Sequence, residues 1–331
     1  MVFVPRVLYV QKAALSYPRA ARAIRILKKK DVPVVEFSGR LPLGHTDDVQ
    51  RFFLSKRSLV LSVRKPTPFA TCRPSADYQL PLASGCPGLC EYCYLHTALG
   101  LRSYLRVYVN LEETLSDAAR LMEASPEPLR FEGAATSDPL PAERYTGVLA
   151  DTISFFAGCQ AWFRFVTKSA DIEPLFGIRH AGRTTVRFSV NAERYIGSFE
   201  HGTAGLLERL SAAHRLRHEG YPVGLLVAPV FLESGWEDAY LQLIRQIKKA
   251  GLDGVELEFV THRFTARARE NIRRVFPHTN LPMQEEGRRY RRGQFGYGKY
   301  VYDESTMSRA RDVMLGEVAR LLPRSRVLYF V

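Results

Sequence analysis

Three of the five cysteines fall within eight residues, in the stretch SGCPGLCEYCYL that begins at Ser84. Cys86, Cys90 and Cys93 form a C-x3-C-x2-C motif. Thiolates bind soft metals, and four of them close a structural zinc or iron–sulfur site. Three thiolates on a four-iron cube leave one iron without a protein ligand. An open iron can bind a substrate or cofactor, which suits chemistry better than scaffolding. The other reading is zinc, because His96 lies three residues past Cys93 and completes a C-x3-C-x2-C-x2-H set. A disulfide framework does not fit, since five cysteines cannot all pair within one chain.

A loop that carries three ligands needs rigid ends. Residues 78–84, YQLPLAS, read as a strand stopped by Gly85, so the cysteines follow a strand. Strands and helices then alternate. LRFEGAA (129–135), WFRFVTKS, TVRFSVN, PVGLLVAPVF and GVELEFV read as strands. NLEETLSDAARLMEAS, PAERYTGVLADTISFFAG, GTAGLLERLSAAHRLRHEG and GWEDAYLQLIRQIKKAG read as helices. In the first helix Asn110 is the expected N-cap, with Glu113 three residues on. Alternation of this kind predicts an α/β fold with parallel strands, either an open sheet or a partial barrel. In both, ligands gather where the C-terminal ends of strands meet loops. Upstream, residues 20–29 read as a basic helix, with strands at 32–37 and 58–65. No repeat, low-complexity tract or linker divides the chain. The expectation is one domain over 1–331, with a basic N-terminal segment at 1–65. There is no Walker loop and no HExxH pair, and GQFGYGK lacks the spacing of a dinucleotide fingerprint.

Hydrophobic residues make up 46% and charged residues 24%, the balance of an ordinary globular protein. No run of 18 apolar residues predicts a membrane span, and the start lacks a signal-peptide pattern. The expected setting is the cytoplasm, with reduced thiols and no membrane partner. The 47 Lys and Arg outnumber 34 Asp and Glu, giving a net charge of +13 that suits a polyanion. That charge is concentrated in RRYRRGQFGYGKYVY (288–302), where Arg288, Arg289, Arg291, Arg292 and Lys299 stand with no acidic residue. Tyr290, Phe295, Tyr297, Tyr300 and Tyr302 interleave with them. Basic groups hold phosphates, and aromatic faces stack on exposed bases or wedge a duplex. The glycines suit a turn, so a DNA-contacting hairpin is expected at about 288–303.

The cysteine spacing, the strand before it and Tyr92 resemble the radical S-adenosylmethionine enzymes. The words PSADYQLPLASGCPGLCEYCYL, RFEGAATSD, RFVTKSADIEPL, RFSVNAERYI and GKYVYDE together resemble the spore photoproduct lyase family. This likeness spans most of the chain. It implies a partial (β/α)6 barrel of the TIM type with a C-terminal β-hairpin that helps hold DNA. It further implies a 4Fe–4S cluster on Cys86, Cys90 and Cys93, with S-adenosyl-L-methionine on the open iron. The implied reaction is direct reversal of 5-thyminyl-5,6-dihydrothymine in UV-damaged DNA to two thymines. An electron donor such as ferredoxin or flavodoxin and a monomeric state complete the expectation.

Residue by residue, the resemblance implies that Tyr92, Ser137, Lys168, Ser189 and Asn191 bind the cofactor. A deoxyadenosyl radical takes hydrogen from the lesion, and the bond between the thymines breaks. A thiol then gives hydrogen to the methyl radical, and its thiyl is reduced through tyrosines matched here by Tyr92 and Tyr94. DNA contacts are implied for Arg288, Arg289, Arg291, Arg292, Phe295, Lys299 and Tyr300. The family shows Arg-Tyr where this chain has Gln294 and Phe295. Family members carry the donor cysteine immediately before TSD, and here Ala135 stands there. Two cysteines remain. Cys159, at the end of an expected helix, reads as a small buried residue. Cys72, in FATCRPSADYQL, lies on a segment that runs into the strand carrying the cluster loop. That segment is expected to reach the barrel mouth, which makes Cys72 the expected donor, with Arg73 beside it to hold a phosphate. Two rival readings stand: a zinc-bound nucleic-acid-binding module, and a radical enzyme acting on another substrate.

Overall fold

The computed structural model describes residues 2–44, 47–292 and 298–331. The chain forms two compact units that interleave along the sequence. The first comprises Met1–Pro87, Leu101–Val186 and His218–Pro222; the second comprises Gly88–Gly100, Arg187–Arg217 and Val223–Val331.

In the first unit, strands β1 (Val7–Gln11), β2 (Val34–Phe37) and β3 (Ser58–Ser62) lie parallel. Strand β3 is buried at every position, as a strand covered on both faces requires. The helix Pro18–Lys28 connects β1 to β2, with proline at its first turn, where no N–H is needed. Ala20, Ala23 and Leu27 form its buried face, while Arg25 and Lys28 point to solvent. Arg19 is buried too, donating to the Thr146 carbonyl at 2.9 Å and pairing with Asp151 at 2.7 Å. The basic N-terminal segment is therefore a built layer. The opening strand β1 was not among the expected elements.

Two short strands replace the expected strand at 78–84. Strand β5 (Ala76–Gln79) pairs parallel with β9 (Arg130–Glu132). Strand β6 (Ala83–Ser84) pairs antiparallel with β8 (Leu105–Tyr108) in the other sheet. Pro81 lies between them and has no N–H to continue a ladder. Strand β4 (Thr71–Cys72) pairs antiparallel with β5, and β10 (Trp162–Thr167) pairs parallel with β9. Behind them Phe131, Phe156, Phe163 and Phe165 pack with ring centres 5.3–5.8 Å apart.

Two helix expectations change in this unit. The run PAERYTGVLADTISFFAG is broken at Gly147, whose φ of +66 ends Glu143–Thr146 and starts Val148–Phe156. The buried Glu143 carboxylate caps the second helix, accepting from the Leu149 and Ala150 N–H groups at 2.7 and 3.0 Å. Asn110 stands at the expected N-cap position, but its side chain makes no capping bond. Its amide accepts from the Arg64 N–H at 2.7 Å and donates to the Arg64 carbonyl and to Glu113, tying down the chain after β3.

In the second unit, β13 (Val223–Val230), β14 (Glu256–Thr261) and β17 (Arg326–Phe330) run parallel, with β11 (Thr184–Val190) beside β13. The short C-terminal strand β17 was not expected. Strands β15 (Arg288–Arg292) and β16 (Gly298–Tyr302) form the expected antiparallel hairpin, in register from Arg288↔Tyr302 to Arg292↔Gly298. Its tip, with the candidate Phe295, lies outside the described residues. Among the described residues no helix is long and apolar enough to cross a membrane.

Candidate cluster and cofactor site

The loop of three cysteines is fixed at both ends. Before it, the Gly85 N–H donates to the Thr136 carbonyl at 2.8 Å, and Gly85 bridges Ser137. Gly85 has φ +75, and a Cβ there would collide with the Tyr104 carbonyl, so only glycine fits. Cys86 follows, with its N–H on the Ser103 carbonyl at 3.4 Å and its own carbonyl accepting from the Lys56 ammonium at 3.0 Å. Lys56 is 3% exposed.

After the loop, in the second unit, β7 (Leu89–Cys90) pairs antiparallel with β12 (Glu200–His201), with Cys90 opposite Glu200. The Glu91 N–H donates to the Phe199 carbonyl at 3.0 Å. The Glu91 carboxylate meets the His201 ring at 2.8 Å and accepts from the Thr279 hydroxyl. Cys93 turns back, its N–H on the Cys90 carbonyl at 3.2 Å.

Tyr92 is drawn inward. Its phenol donates to Glu200, and its ring packs edge-on against Phe231 at 5.8 Å. Burial first, then the Glu200 charge, pushes its pKa well above that of an ordinary phenol. Glu200 pairs with Arg209 at 2.5 Å, both side chains fully buried. Arg209 also donates to the Ser189 carbonyl at 2.9 Å and the Ala204 carbonyl at 2.8 Å. Tyr92, Glu200, Arg209 and Ser189 thus form one connected run. Tyr94, two residues on, is 57% exposed. Asn191 is engaged within the fold: its amide donates to the Pro229 carbonyl at 2.7 Å and accepts from the Tyr240 hydroxyl at 3.0 Å.

In the first unit, Ser137 and Lys168 follow the ends of the adjacent parallel strands β9 and β10. Asp138 joins those two turns. It accepts from the Thr167 hydroxyl at 3.0 Å, the Lys168 N–H at 2.9 Å and the Leu140 N–H at 3.3 Å. Burial raises its pKa to about 6 against the pull of those donors. The buried Ser137 hydroxyl has no hydrogen-bond partner among the described residues.

Cys72 lies opposite Ala76, at the start of β5. The Gly85–Ser137 bridge marks the other end of that segment. Strand β4 pairs antiparallel with β5 and sets Cys72 beside the beginning of that strand. Cys159 is half-buried after the helix Val148–Phe156, donating to the Phe155 carbonyl at 3.3 Å, and burial raises its pKa.

Within the hairpin the candidates divide. The Arg288 side chain is 4% exposed, donates to the His262 carbonyl at 2.9 Å, pairs with Glu233 at 3.3 Å and sits 3.5 Å over the Tyr302 ring. It anchors the hairpin and is not presented to a partner. Arg289, Arg291 and Arg292 are exposed. Lys299 faces Arg291 across the pair, and burial, with Arg263 nearby, lowers its pKa. Tyr300 stacks on Phe264 at 5.1 Å, and the exposed Tyr290 meets it edge-on at 5.3 Å.

His96 is 2% exposed and packs edge-on to Phe276 at 6.3 Å. Three cysteine thiols and a buried hydroxyl without a hydrogen-bond partner among the described residues, that of Ser137, are the donor types that a cluster with a polar ligand on its open iron takes. Lys56, Asp138, Glu200 and Arg209 were not anticipated. No local spacing announces them, because pairings distant in sequence bring them to the loop.

The family model for spore photoproduct lyase matches residues 3–331. The chain is 40% identical over 326 residues to the spore photoproduct lyase of Clostridium acetobutylicum, covering 97% of each. It is 35% identical over 337 residues to that of Bacillus subtilis (strain 168), covering 99% of this chain and 98% of the other. Among solved structures it resembles a spore photoproduct lyase double mutant with bound AdoMet and dinucleoside spore photoproduct, at TM-score 0.97 and 35% identity over 100% of both chains. It resembles a second, complexed with dinucleoside spore photoproduct, at TM-score 0.96 and 35% identity over 100% of both chains. The fold is thus the expected mixed α/β partial (β/α)6 barrel with a C-terminal hairpin, and the zinc-module reading falls away. This chain belongs to the spore photoproduct lyase family.

Proposed function

We propose that this chain reverses the spore photoproduct in UV-damaged DNA to two thymines, as a radical S-adenosylmethionine lyase. The observation that carries this is the full-length family match over residues 3–331, with every cysteine of the cluster motif in place. Bound to the cluster, S-adenosylmethionine supplies a carbon radical able to take hydrogen from the lesion. The residues of this chain do the rest. Cys86, Cys90 and Cys93 hold the cluster, and Lys56 ties down the Cys86 carbonyl at the start of the loop. Lys168 pairs the cofactor's carboxylate, while Ser137, Ser189 and Asn191 hold its polar groups. Arg289, Arg291, Arg292 and Lys299 hold phosphates, and Tyr300 and Phe295 support the extruded thymines.

Ala135 has no thiol, and its C–H bonds are too strong to give hydrogen to an allylic-type thymine radical, so the donor thiol lies elsewhere. Of the two remaining cysteines, Cys159 is tied to the Phe155 carbonyl beside a helix end. Cys72 stands on an edge strand, half-buried, and is the donor in this reading. Its S–H hydrogen goes to the thymine methyl carbon and leaves a thiyl. Tyr92 and Tyr94 relay one electron to it from a reduced ferredoxin or flavodoxin, the thiolate so formed takes a proton from solvent, and Glu200 holds the Tyr92 phenol during the relay. A reduced ferredoxin or flavodoxin supplies the first electron. The enzyme acts as a monomer in the cytoplasm, where its five cysteines stay reduced.

The test is anaerobic. Reduced, cluster-loaded protein is mixed with S-adenosylmethionine and dinucleoside spore photoproduct. Appearance of the intact dithymine step supports the reading. Cofactor cleavage with the lesion untouched would assign the enzyme to another substrate. Cys90→Ala is expected to lose iron and cofactor cleavage together, and full iron in that variant would remove Cys90 from the cluster.

A further inference from the structure

A cavity of about 400 Å³ opens in the first unit, where strands β5, β9 and β10 begin. Arg73, Ser75, Asp77, Pro128, Arg130 and Trp162 line it. It lies at the starting ends of these strands, whereas Ser137 and Lys168 follow the far ends of β9 and β10. Its volume is in the range of pockets that take small ligands.

Its lining is chemically specific. Trp162 is 38% exposed, an unusual place for so large an apolar ring, and the Arg183 guanidinium sits 5.5 Å from the ring centre. Neither the Arg73 nor the Arg130 guanidinium has a hydrogen-bond or ion-pair partner among the described residues, whereas Arg19 and Arg144 in the same unit are paired. Two unpaired guanidinium groups around one cavity repel each other until an anion joins them, and planar forks of N–H donors match phosphate oxygens. An exposed tryptophan beside them offers a face on which a base stacks. Asp77 is the one carboxylate in the lining, and it accepts from the Arg130 N–H at 2.9 Å. Two guanidinium groups against one carboxylate leave the cavity positive, and that carboxylate offers an acceptor to the N–H edge of a base.

We propose that this cavity is a second nucleotide site, which stacks a base on Trp162 and holds its phosphate between Arg73 and Arg130. The same chemistry fits a nucleotide of the DNA strand outside the lesion or a free nucleotide. Arg73 directly follows Cys72, so a strand held here is brought to the edge that carries the proposed donor thiol. The proposal rests on the DNA-repair reading only for its purpose, because binding is read without turnover.

The chain has two tryptophans, and the other, Trp236, is 9% exposed, so emission changes report on this cavity. Intact, anaerobically isolated protein is titrated with thymidine 5′-monophosphate, thymidine, inorganic phosphate and single-stranded oligothymidylate. Saturable quenching by the monophosphate or the oligonucleotide is expected, with thymidine at least about tenfold weaker. Tighter binding of the oligonucleotide identifies the DNA strand as the source; equal binding identifies a free nucleotide. Trp162→Phe should abolish the change, and Trp236→Phe should keep it. Arg73→Ala with Arg130→Ala should weaken binding about tenfold or more, and Arg73→Gln alone, at an exposed position, provides the same test without a folding risk. No saturable quenching, quenching that survives Trp162→Phe, or affinity unchanged by the arginine substitutions would overturn the site, while repair of the lesion itself would be unaffected by that failure.

Discussion

Glu200 stands opposite Cys90 and holds both the Tyr92 phenol and the Arg209 guanidinium. Removing one partner from a buried ion pair strands the other charge, which costs about 3–5 kcal/mol. Glu200→Gln should therefore lower stability by about that amount in a denaturant melt, whereas Tyr92→Phe, losing one hydrogen bond, should cost about 1 kcal/mol. If Tyr92 also returns the electron, Tyr92→Phe should cleave cofactor normally yet slow on repeated turnover. At this scale the sequence was uneven. Three cysteines in eight residues announce a cluster by spacing alone. Glu200 and Arg209 carry no such sign, since β12 meets β7 only after the intervening chain has folded.

At the scale of elements, the break at Gly147 sets up a titration. Burial raises the Glu143 carboxyl from the ordinary 4.5 to about 7, against the two N–H donors it caps. Below about pH 4.5 it is protonated folded or unfolded, and its contribution is fully present. As pH rises the unfolded chain ionises first, so stability falls until about pH 7 and is then lower by about 3 kcal/mol. Asp138, raised to about 6, slopes the same way. Denaturant melts between pH 5 and 8 should show the fall, and Glu143→Gln should remove roughly half of it. An unchanged slope in that variant would mean the carboxyl titrates normally. The helical period of residues 141–158 was legible. The break was not, because a single glycine can sit inside a helix or end it, and the buried Glu143 decides which.

The hairpin gives a second prediction at this scale. Arg291→Ala with Arg292→Ala should weaken binding to damaged and undamaged DNA alike and flatten the salt slope by about one to two. Arg288→Ala should instead lower stability and loosen the hairpin, because its guanidinium is held by His262 and Glu233. The run of arginines was visible in the sequence. Which of them faces inward was not, since an antiparallel strand alternates its faces and the anchor is chosen by Phe264 and Tyr302.

For the whole molecule, alternating strands and helices foretold an α/β fold, as an open sheet or a partial barrel, and the flanking words foretold the family and with it the barrel. In the β1–β3 layer, β2, β3 and the basic helix were legible at 32–37, 58–65 and 20–29, and only the short opening strand β1 was missed. The central claim is that this protein repairs the lesion although Ala135 replaces the donor, with the hydrogen coming from Cys72. Thiol hydrogen exchanges with water, whereas C–H hydrogen does not. The most direct measurement is a single anaerobic reaction in deuterium oxide, with S-adenosylmethionine and dinucleoside spore photoproduct, analysed by mass spectrometry. The parent should yield the dithymine product carrying one deuterium in a thymine methyl group, and Cys72→Ala should open the lesion but give adducts and little of that product. Absence of dithymine from the parent, or the same labelled product from Cys72→Ala at the parent rate, would contradict the account.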